Sequence, residues 1–229
     1  MSQIAAVGVL DPSESLWQRH FVEACEREKN TSGTNPGEWR AGGRATKALP
    51  NKEDGEFWID RGKQMVGDFI AWWVANNNWT VWKAPDGRLG VEIPLFSDLG
   101  GAPVRAYADM IAYDQDGVLS VVDFKTGSHM PDSGMQLGLY AVLCEVLYGV
   151  RPTRGYFYDA RNATMVRVNN MDVWTKQVFD DLFKQFVSGL EAEIFLPNVS
   201  MMCKSCSVNQ FCYVYGGELS QDVDPLSLL

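Results

Sequence analysis

VRAYADMIAYDQDGVLSVVDFKTG, residues Val104–Gly127, is the stretch from which the rest of the chain can be read. Two runs rich in strand-forming residues flank Asp116-Gly117, and Asp-Gly between such runs is a strong hairpin signal. Side chains alternate across a strand, so Asp123 and Lys125 project from one face of the second run and Phe124 from the other. Asp109 lies near the far end of the first run. A register that pairs it with Asp123 puts both carboxylates on one face, whereas a slip of one residue sends Asp109 to the other side. The spacing D-x13-D-x-K therefore lets two carboxylates and an amine converge. Hard divalent cations take oxygen ligands of this kind, and a neighbouring lysine can position a metal-bound water or help deprotonate it. Asp and Lys two apart on a strand also make an ordinary solvated face. Leu119, Val121 and Val122 argue against that here, because on an apolar central strand two charges are costly to bury without a role.

The flanking segments extend this sheet. Trp79–Lys83 and Leu89–Phe96, joined at Asp86-Gly87, read as a second hairpin, giving an antiparallel-leaning sheet. Glu92, in VEIPLF, is either a charge on an edge strand or a further oxygen ligand. Asp132–Tyr148 reads as a helix with Gln136, Tyr140, Leu143 and Leu147 on one face and Met135, Leu139, Val142 and Val146 on another. A helix apolar on both sides is buried, so Gln136 and Tyr140 require hydrogen-bond partners. Cys144, among apolar neighbours, reads as a core thiol. Tyr156–Asp159 and Met165–Val168 form a further strand pair, and Met171–Ala192 a closing amphipathic helix.

Towards the N-terminus, Pro12–Lys29 reads as a helix capped by Ser13 or Ser15, with Leu16, Phe21, Val22 and Cys25 as a partial apolar stripe. Residues 30–55 form a long connection holding Trp39, Arg40, Arg44, Lys47 and Lys52, the most basic stretch of the chain. Arg40, Arg44 and Lys47 are candidates for phosphate contacts, with a solvated loop as the alternative. Phe57–Asn77 makes a long helix that offers Trp58, Met65, Phe69, Trp72 and Trp73 to the core.

The 229 residues suffice for one full core, and their net charge of −9 argues against a non-specific nucleic-acid coat. A locally basic groove remains compatible with that charge. The start MSQIAAVGVLDP lacks a signal-peptide pattern, and FIAWWVA at 69–75 is too short to span a membrane. Five cysteines without a secretory signal indicate a reducing compartment, so a cytoplasmic location is expected. Three of the five fall together as Cys203-x2-Cys206-x5-Cys212. Such spacing brings thiolates to one metal centre and leaves one ligand missing, for which Cys25 is the candidate. Spacing alone does not separate an iron–sulfur cluster from Zn2+.

VVDFKTG, the preceding strand with Asp109, the following QLGLY (Gln136–Tyr140) and the C-x2-C-x5-C tail together resemble the RecB-like branch of the PD-(D/E)XK nucleases. More narrowly they resemble its AddB-type and CRISPR-associated exonucleases that carry an iron–sulfur cluster. The resemblance covers about residues 90–215. It implies an α/β fold with a restriction-endonuclease-like core, a central mixed sheet flanked by helices, formed by a single nuclease domain over 1–229. It also implies that Asp109, Asp123 and the Phe124 carbonyl hold Mg2+ or Mn2+, that Lys125 serves the attacking water, and that Gln136 and Tyr140 face the active site and the DNA backbone. Cys25, Cys203, Cys206 and Cys212 would hold a [4Fe–4S] cluster, with Zn2+ as the rival. The N-terminal helix (12–29) and the Cys-rich tail (200–215) would then be clamped together, leaving 216–229 as a flexible tail.

The implied activity is exonucleolytic hydrolysis of DNA, single-stranded or with free ends. Its setting would be phage or bacterial replication, recombination or repair, with a replication or recombination protein as a partner and no membrane. Two departures from the family pattern stand out. The helix histidine, expected four residues after a glycine, is Val66 counting from Gly62. Asp60, Gln64 and Asp68 are the polar residues left on that helix, and Glu92 is the substitute ligand from elsewhere. The proline expected after the first cysteine is Glu26. A catalytically inactive relative that binds DNA ends on the same scaffold is the alternative function, and a zinc-clamped interaction module a third.

Overall fold

Leu119–Lys125 is largely apolar, and a strand of that composition needs cover on both faces. It receives it near the middle of a six-stranded mixed sheet. The strands are β1 (Thr80–Val81), β2 (Val91–Leu99), β3 (Ala102–Tyr113), β4 (Leu119–Lys125), β5 (Arg154–Asp159) and β6 (Thr164–Val168), in the order β1-β3-β4-β5-β6, with β2 also paired to β3. The helices are α1 (Glu14–Ser32), α2 (Gly55–Ala75), α3 (Met135–Tyr148) and α4 (Lys176–Glu191). This computed structural model describes residues 14–33, 46–47, 52–194, 196–200, 203, 206–212 and 214. They divide after Phe183 into two compact units. Arg40, Arg44, Ser13 and the 216–229 tail lie outside the described residues.

β4 runs parallel to β5 and antiparallel to β3. Parallel neighbours need a crossover rather than a tight turn, and α3 supplies it. One face of the sheet carries Met110, Ala112, Val122, Phe124, Tyr156 and Tyr158 against Met65 and Phe69 of α2, with Trp58, Trp72 and Trp73 around them. Phe69 meets Phe124 and Tyr158 edge-on, with centroids 5.0 and 5.1 Å apart. Burying a ring of this size stabilises the fold by about 1.5–3 kcal/mol. Asp54 caps α2, its carboxylate accepting the Phe57 N–H at 2.9 Å. Gly62 is where α1 crosses α2: a Cβ there would meet the Trp17 ring at 2.1 Å. The glycine is thus a point of close helix approach.

Several expectations from sequence shift in detail. The connection from β3 to β4 is longer than a two-residue hairpin. The Asp114 N–H bonds to the Val118 carbonyl, and Gly117 turns the chain with φ +73. The buried Asp114 carboxylate fixes this turn, accepting from the Asp116 and Val118 N–H groups, Arg154, the Tyr156 hydroxyl and Ser120. The expected hairpin over 79–96 closes only near its turn, through the Lys83–Leu89 bridge, the Ala84 N–H on the Arg88 carbonyl and the Gly90 N–H on the Trp82 carbonyl. β1 and β2 instead follow one another along the same edge of β3. Ser15 lies inside α1 rather than capping it, and Val22 of the expected stripe is exposed.

α3 starts three residues later than its sequence pattern suggested, and its middle is buried on both expected faces, Tyr140 and Leu143 on one and Val142 on the other. Met135, Val146 and Leu147 are exposed near its ends. Met171–Ala192 resolves into a 3-10 turn at Met171–Val173 and α4. Cys144 is a core thiol, pushed up to about 12 by burial. No helix among the described residues is long and apolar enough to cross a membrane.

Candidate active site

The β3–β4 ladder pairs Met110 with Val122, Ile111 with Val121 and Ala112 with Ser120. Continued by one step, that register sets Asp109 opposite Asp123, but the ladder stops there. Asp109 takes over the next bond itself, its Oδ2 accepting the Phe124 N–H at 2.8 Å. Phe124 points into the α2 core, so alternation turns Asp123 and Lys125 to the other face. On that face Asp123 is 3% exposed. Lys125 Nζ stands 2.6 Å from Asp123 Oδ2 and donates to Gln136 Oε1 at 2.8 Å. Gln136 Nε2 in turn donates to the Tyr140 hydroxyl at 2.7 Å. Residues four apart on a helix are neighbours on its surface, which aligns Gln136 and Tyr140 of α3 beneath the amine. The Lys125 ammonium also lies 5.5 Å from the centre of the Phe157 ring.

Glu92 joins this group through an unusual backbone. The flanking pairs, Val91 to Met110 and Ile93 to Ala108, put it opposite Asp109. It holds φ +49 at the second residue of β2, a conformation that costs a side-chain-bearing residue about 1–3 kcal/mol. Its charge acts on both Asp109 and Tyr140.

The electrostatics follow from burying acids together. Burial, then the Asp123 and Glu92 charges, raise Asp109 to about 6, against the opposing pull of the Phe124 N–H and Lys125. Burial also raises Asp123 above the ordinary carboxylate range, and Lys125 only partly offsets this. Tyr140 is raised chiefly by burial, with the three acids adding to it.

Asp109→Asn is therefore expected to stabilise the metal-free protein at neutral pH. The folded state holds the Asp109 proton more tightly than the unfolded chain, whose carboxylates titrate near about 3.9. That contribution is complete below about pH 4 and is lost as pH rises through about 6. The variant should melt about 2–8 °C higher at pH 8 and equal to wild type near pH 4. Thermal melts across that range check it, and a difference independent of pH counts against the assignment.

The donor set suits a hard divalent cation. Three carboxylates face one ammonium. Asp123 Oδ2 is buried, and the close partner it has is the Lys125 amine at 2.6 Å. Asp109 and Asp123 would hold such an ion. The Leu119 and Lys125 carbonyls accept bonds from Thr153 and Ala160 on the β5 side, so alternation turns the Phe124 carbonyl to the β3 edge, where the ladder has ended. Among the described residues, however, no three His, Cys, Asp or Glu side chains converge closely enough to enclose a metal ion. The acids form an open cluster with Lys125 drawn onto Asp123.

The α2 residues considered as substitutes for the missing histidine have other surroundings. Gln64 accepts from Arg61, and the charge of Asp68 acts on the buried Tyr158 hydroxyl. Lys47 is exposed.

The cysteines are free thiols. Burial raises Cys25, which is half-buried on α1 in the first unit. In the second unit Cys203 and Cys206 share a turn, with the Cys206 N–H on the Cys203 carbonyl at 3.2 Å and the Ser200 N–H on Cys203 Sγ at 3.2 Å. Cys203, Cys206 and Cys212 do not close around a common centre among the described residues.

Arg161 is the residue near the site that sequence gave no means of finding. Its guanidinium makes a two-pronged pair with Glu53, both contacts at 2.8 Å, and its Nε donates to the Thr126 carbonyl at 2.7 Å. It thereby anchors the chain immediately after Lys125. These partners lie 108 and 35 positions away, and no local pattern links them.

The family model described as the PD-(D/E)XK nuclease superfamily matches residues 17–213. No curated protein matches the chain. Nucleases of that superfamily act on DNA and generally use Mg2+ or Mn2+. The match runs from α1 through the D-x-K strand to the cysteine-bearing tail, and the chain belongs to the PD-(D/E)XK nuclease superfamily.

Proposed function

We propose that this nuclease is a divalent-metal-dependent DNA exonuclease that removes nucleotides from DNA ends during replication, recombination or repair, in a phage or bacterial setting. The observation that carries the reading is the convergence of Asp109, Asp123 and Lys125 where the β3–β4 ladder ends, with a buried Asp123 oxygen held against the Lys125 amine. Asp109, Asp123 and the Phe124 carbonyl hold the cation, with Glu92 as the further acid. When bound, the cation supplies charge neutralisation at the phosphate and lowers the pKa of water. Lys125 Nζ orients the attacking water, and Gln136, itself bonded to Tyr140, holds the amine in place. Water attacks phosphorus in line with the departing sugar oxygen, which leaves with a proton while phosphorus keeps its new hydroxyl.

The test uses linear DNA labelled at either end, and a closed circle of the same sequence, with Mn2+. Linear DNA should be shortened progressively from an end and the circle left intact. Cutting of the circle would make the enzyme an endonuclease, and the absence of any Mn2+-dependent cutting would overturn the reading. The second outcome would favour a catalytically inactive protein that binds DNA ends, a reading that draws on Val66 at the position of the family's histidine.

We further propose that Cys25, Cys203, Cys206 and Cys212 carry a [4Fe–4S] cluster. The C-x2-C-x5-C spacing and the N–H bond onto Cys203 Sγ support it, since backbone donors commonly stabilise metal-bound thiolates. Protein purified without air should be brown and contain about four irons per chain. Colourless protein containing one zinc would replace the cluster with Zn2+, and protein with neither would remove the clamp.

A further inference from the structure

The hairpin of β2 and β3 carries an exposed aromatic strip that the acid cluster does not use. Phe96 is 59% exposed and Tyr107 44%. The register puts Phe96 opposite Arg105 and Pro94 opposite Tyr107. The Arg105 guanidinium lies 5.1 Å from the centre of the Tyr107 ring and donates to its hydroxyl. The alternate residues Ile93, Leu95, Leu99, Ala102, Val104 and Ala108 are buried, so the strip stands on an anchored hairpin. β4 pairs with β3 only from Met110 onward, which leaves residues 102–109 without β4 along that edge. Tyr107 is two residues from Asp109 on the same strand, about 7 Å along it.

Single exposed apolar side chains are ordinary. Here two aromatics flank a stacked cation in an otherwise acidic chain, beside the candidate active site. We propose that this strip is a stacking platform for the unpaired bases of single-stranded DNA, placing the strand's phosphates toward Asp109 and Asp123. The proposal rests on the nuclease reading for its direction, not for its chemistry. Unstacked bases bind aromatic faces and guanidinium planes whatever their sequence. Duplex DNA keeps its base faces covered and gives the platform nothing to stack on. A protein partner fits poorly, because four side chains cover far less than the ~800 Å2 per partner of a stable interface.

The test is fluorescence anisotropy of the full chain with a labelled oligothymidine of about 20 nucleotides, in EDTA so that nothing is cut. Phe96→Ala and Tyr107→Ala should each weaken binding by about 5- to 150-fold with an unchanged salt slope, while Tyr107→Trp stays within about twofold of wild type. Arg105→Gln should lower the salt slope by about 0.7. Blunt duplex should bind more weakly than the single strand and respond little to the aromatic substitutions. Wild-type affinity for oligothymidine in both alanine variants would overturn the platform. So would equal losses on duplex, or a change from dimer to monomer in Phe96→Ala with DNA affinity intact, which would make the strip a contact with a second copy. Cleavage that persists with unaltered oligothymidine binding sinks the platform and spares the nuclease. Absent cleavage with Tyr107-dependent binding does the reverse.

Discussion

Asp123→Asn should lose cleavage by at least about a thousandfold while the protein folds as before. The loss follows from the residue's place between the cation site and Lys125. Without its charge, Asp109 is left as the one carboxylate of the pair facing a divalent ion, and preorganised charge of this kind accounts for rate effects of that size. Survival of the fold follows from the same burial. Asp123 sits above the ordinary carboxylate range, chiefly from burial, so ionising it opposes folding rather than helping it. Lys125, 24% exposed along its side chain, keeps Gln136 as a partner. Lys125→Ala should lose activity on a similar scale. End-labelled DNA assays with circular dichroism and thermal melts check both. Full activity in either variant would remove the scheme.

Asp114→Ala should do the opposite, costing about 3–5 kcal/mol of stability, a large share of the 5–15 kcal/mol that holds a typical domain together. Asp114 is 1% exposed. Burial pushes its pKa up, but hydrogen bonds from Arg154, the Val118 N–H, the Tyr156 hydroxyl and the Asp116 N–H outweigh that and hold it below the usual range. A carboxylate with a lowered folded-state pKa stabilises the native state fully above its unfolded value near about 3.9. That stabilisation disappears as pH falls through the lowered value. Truncation removes the acceptor of a turn, a guanidinium and a phenol at once, leaving the Tyr156 hydroxyl buried without its partner. Chemical denaturation of Asp114→Ala at pH 7 should show the loss, and Asp114→Asn should recover part of it while flattening the acid limb of the stability curve. A change under about 1 kcal/mol in Asp114→Ala would show that the turn forms without this hub.

These two buried acids, nine positions apart, one in the β3–β4 turn and one on β4, differ in what surrounds them. The stretch around Asp109, Asp123 and Lys125 could be read because its signals are local: period-two alternation, an Asp-Gly turn and an apolar strand that makes charge conspicuous. The register onto which Asp109 falls follows from the length of that connection. Asp114 carries no such local signal, because Arg154 and Tyr156 arrive from β5 across the parallel pairing. Pairing between distant segments has no periodic trace in sequence. The hairpin expected over 79–96 forms only near its turn, for a related reason. β1 and β2 bond to β3 rather than to each other, and the distant strand offers the longer ladder.

Alone, then, the sequence determined the strands and helices that carry the chemistry, the acid–acid–lysine order, and the need of Gln136 and Tyr140 for partners. All of these rest on interactions within a few residues or on one repeating period. Tertiary structure decided which acids feel one another. It strained Glu92 opposite Asp109, joined Lys125 to Gln136 and Tyr140, secured Thr126 through Arg161 and Glu53, and made Asp114 a structural anchor. Each of these joins residues far apart along the chain. The free energy of such contacts depends on burial and mutual distance, quantities that come into being only when the sheet has closed around them.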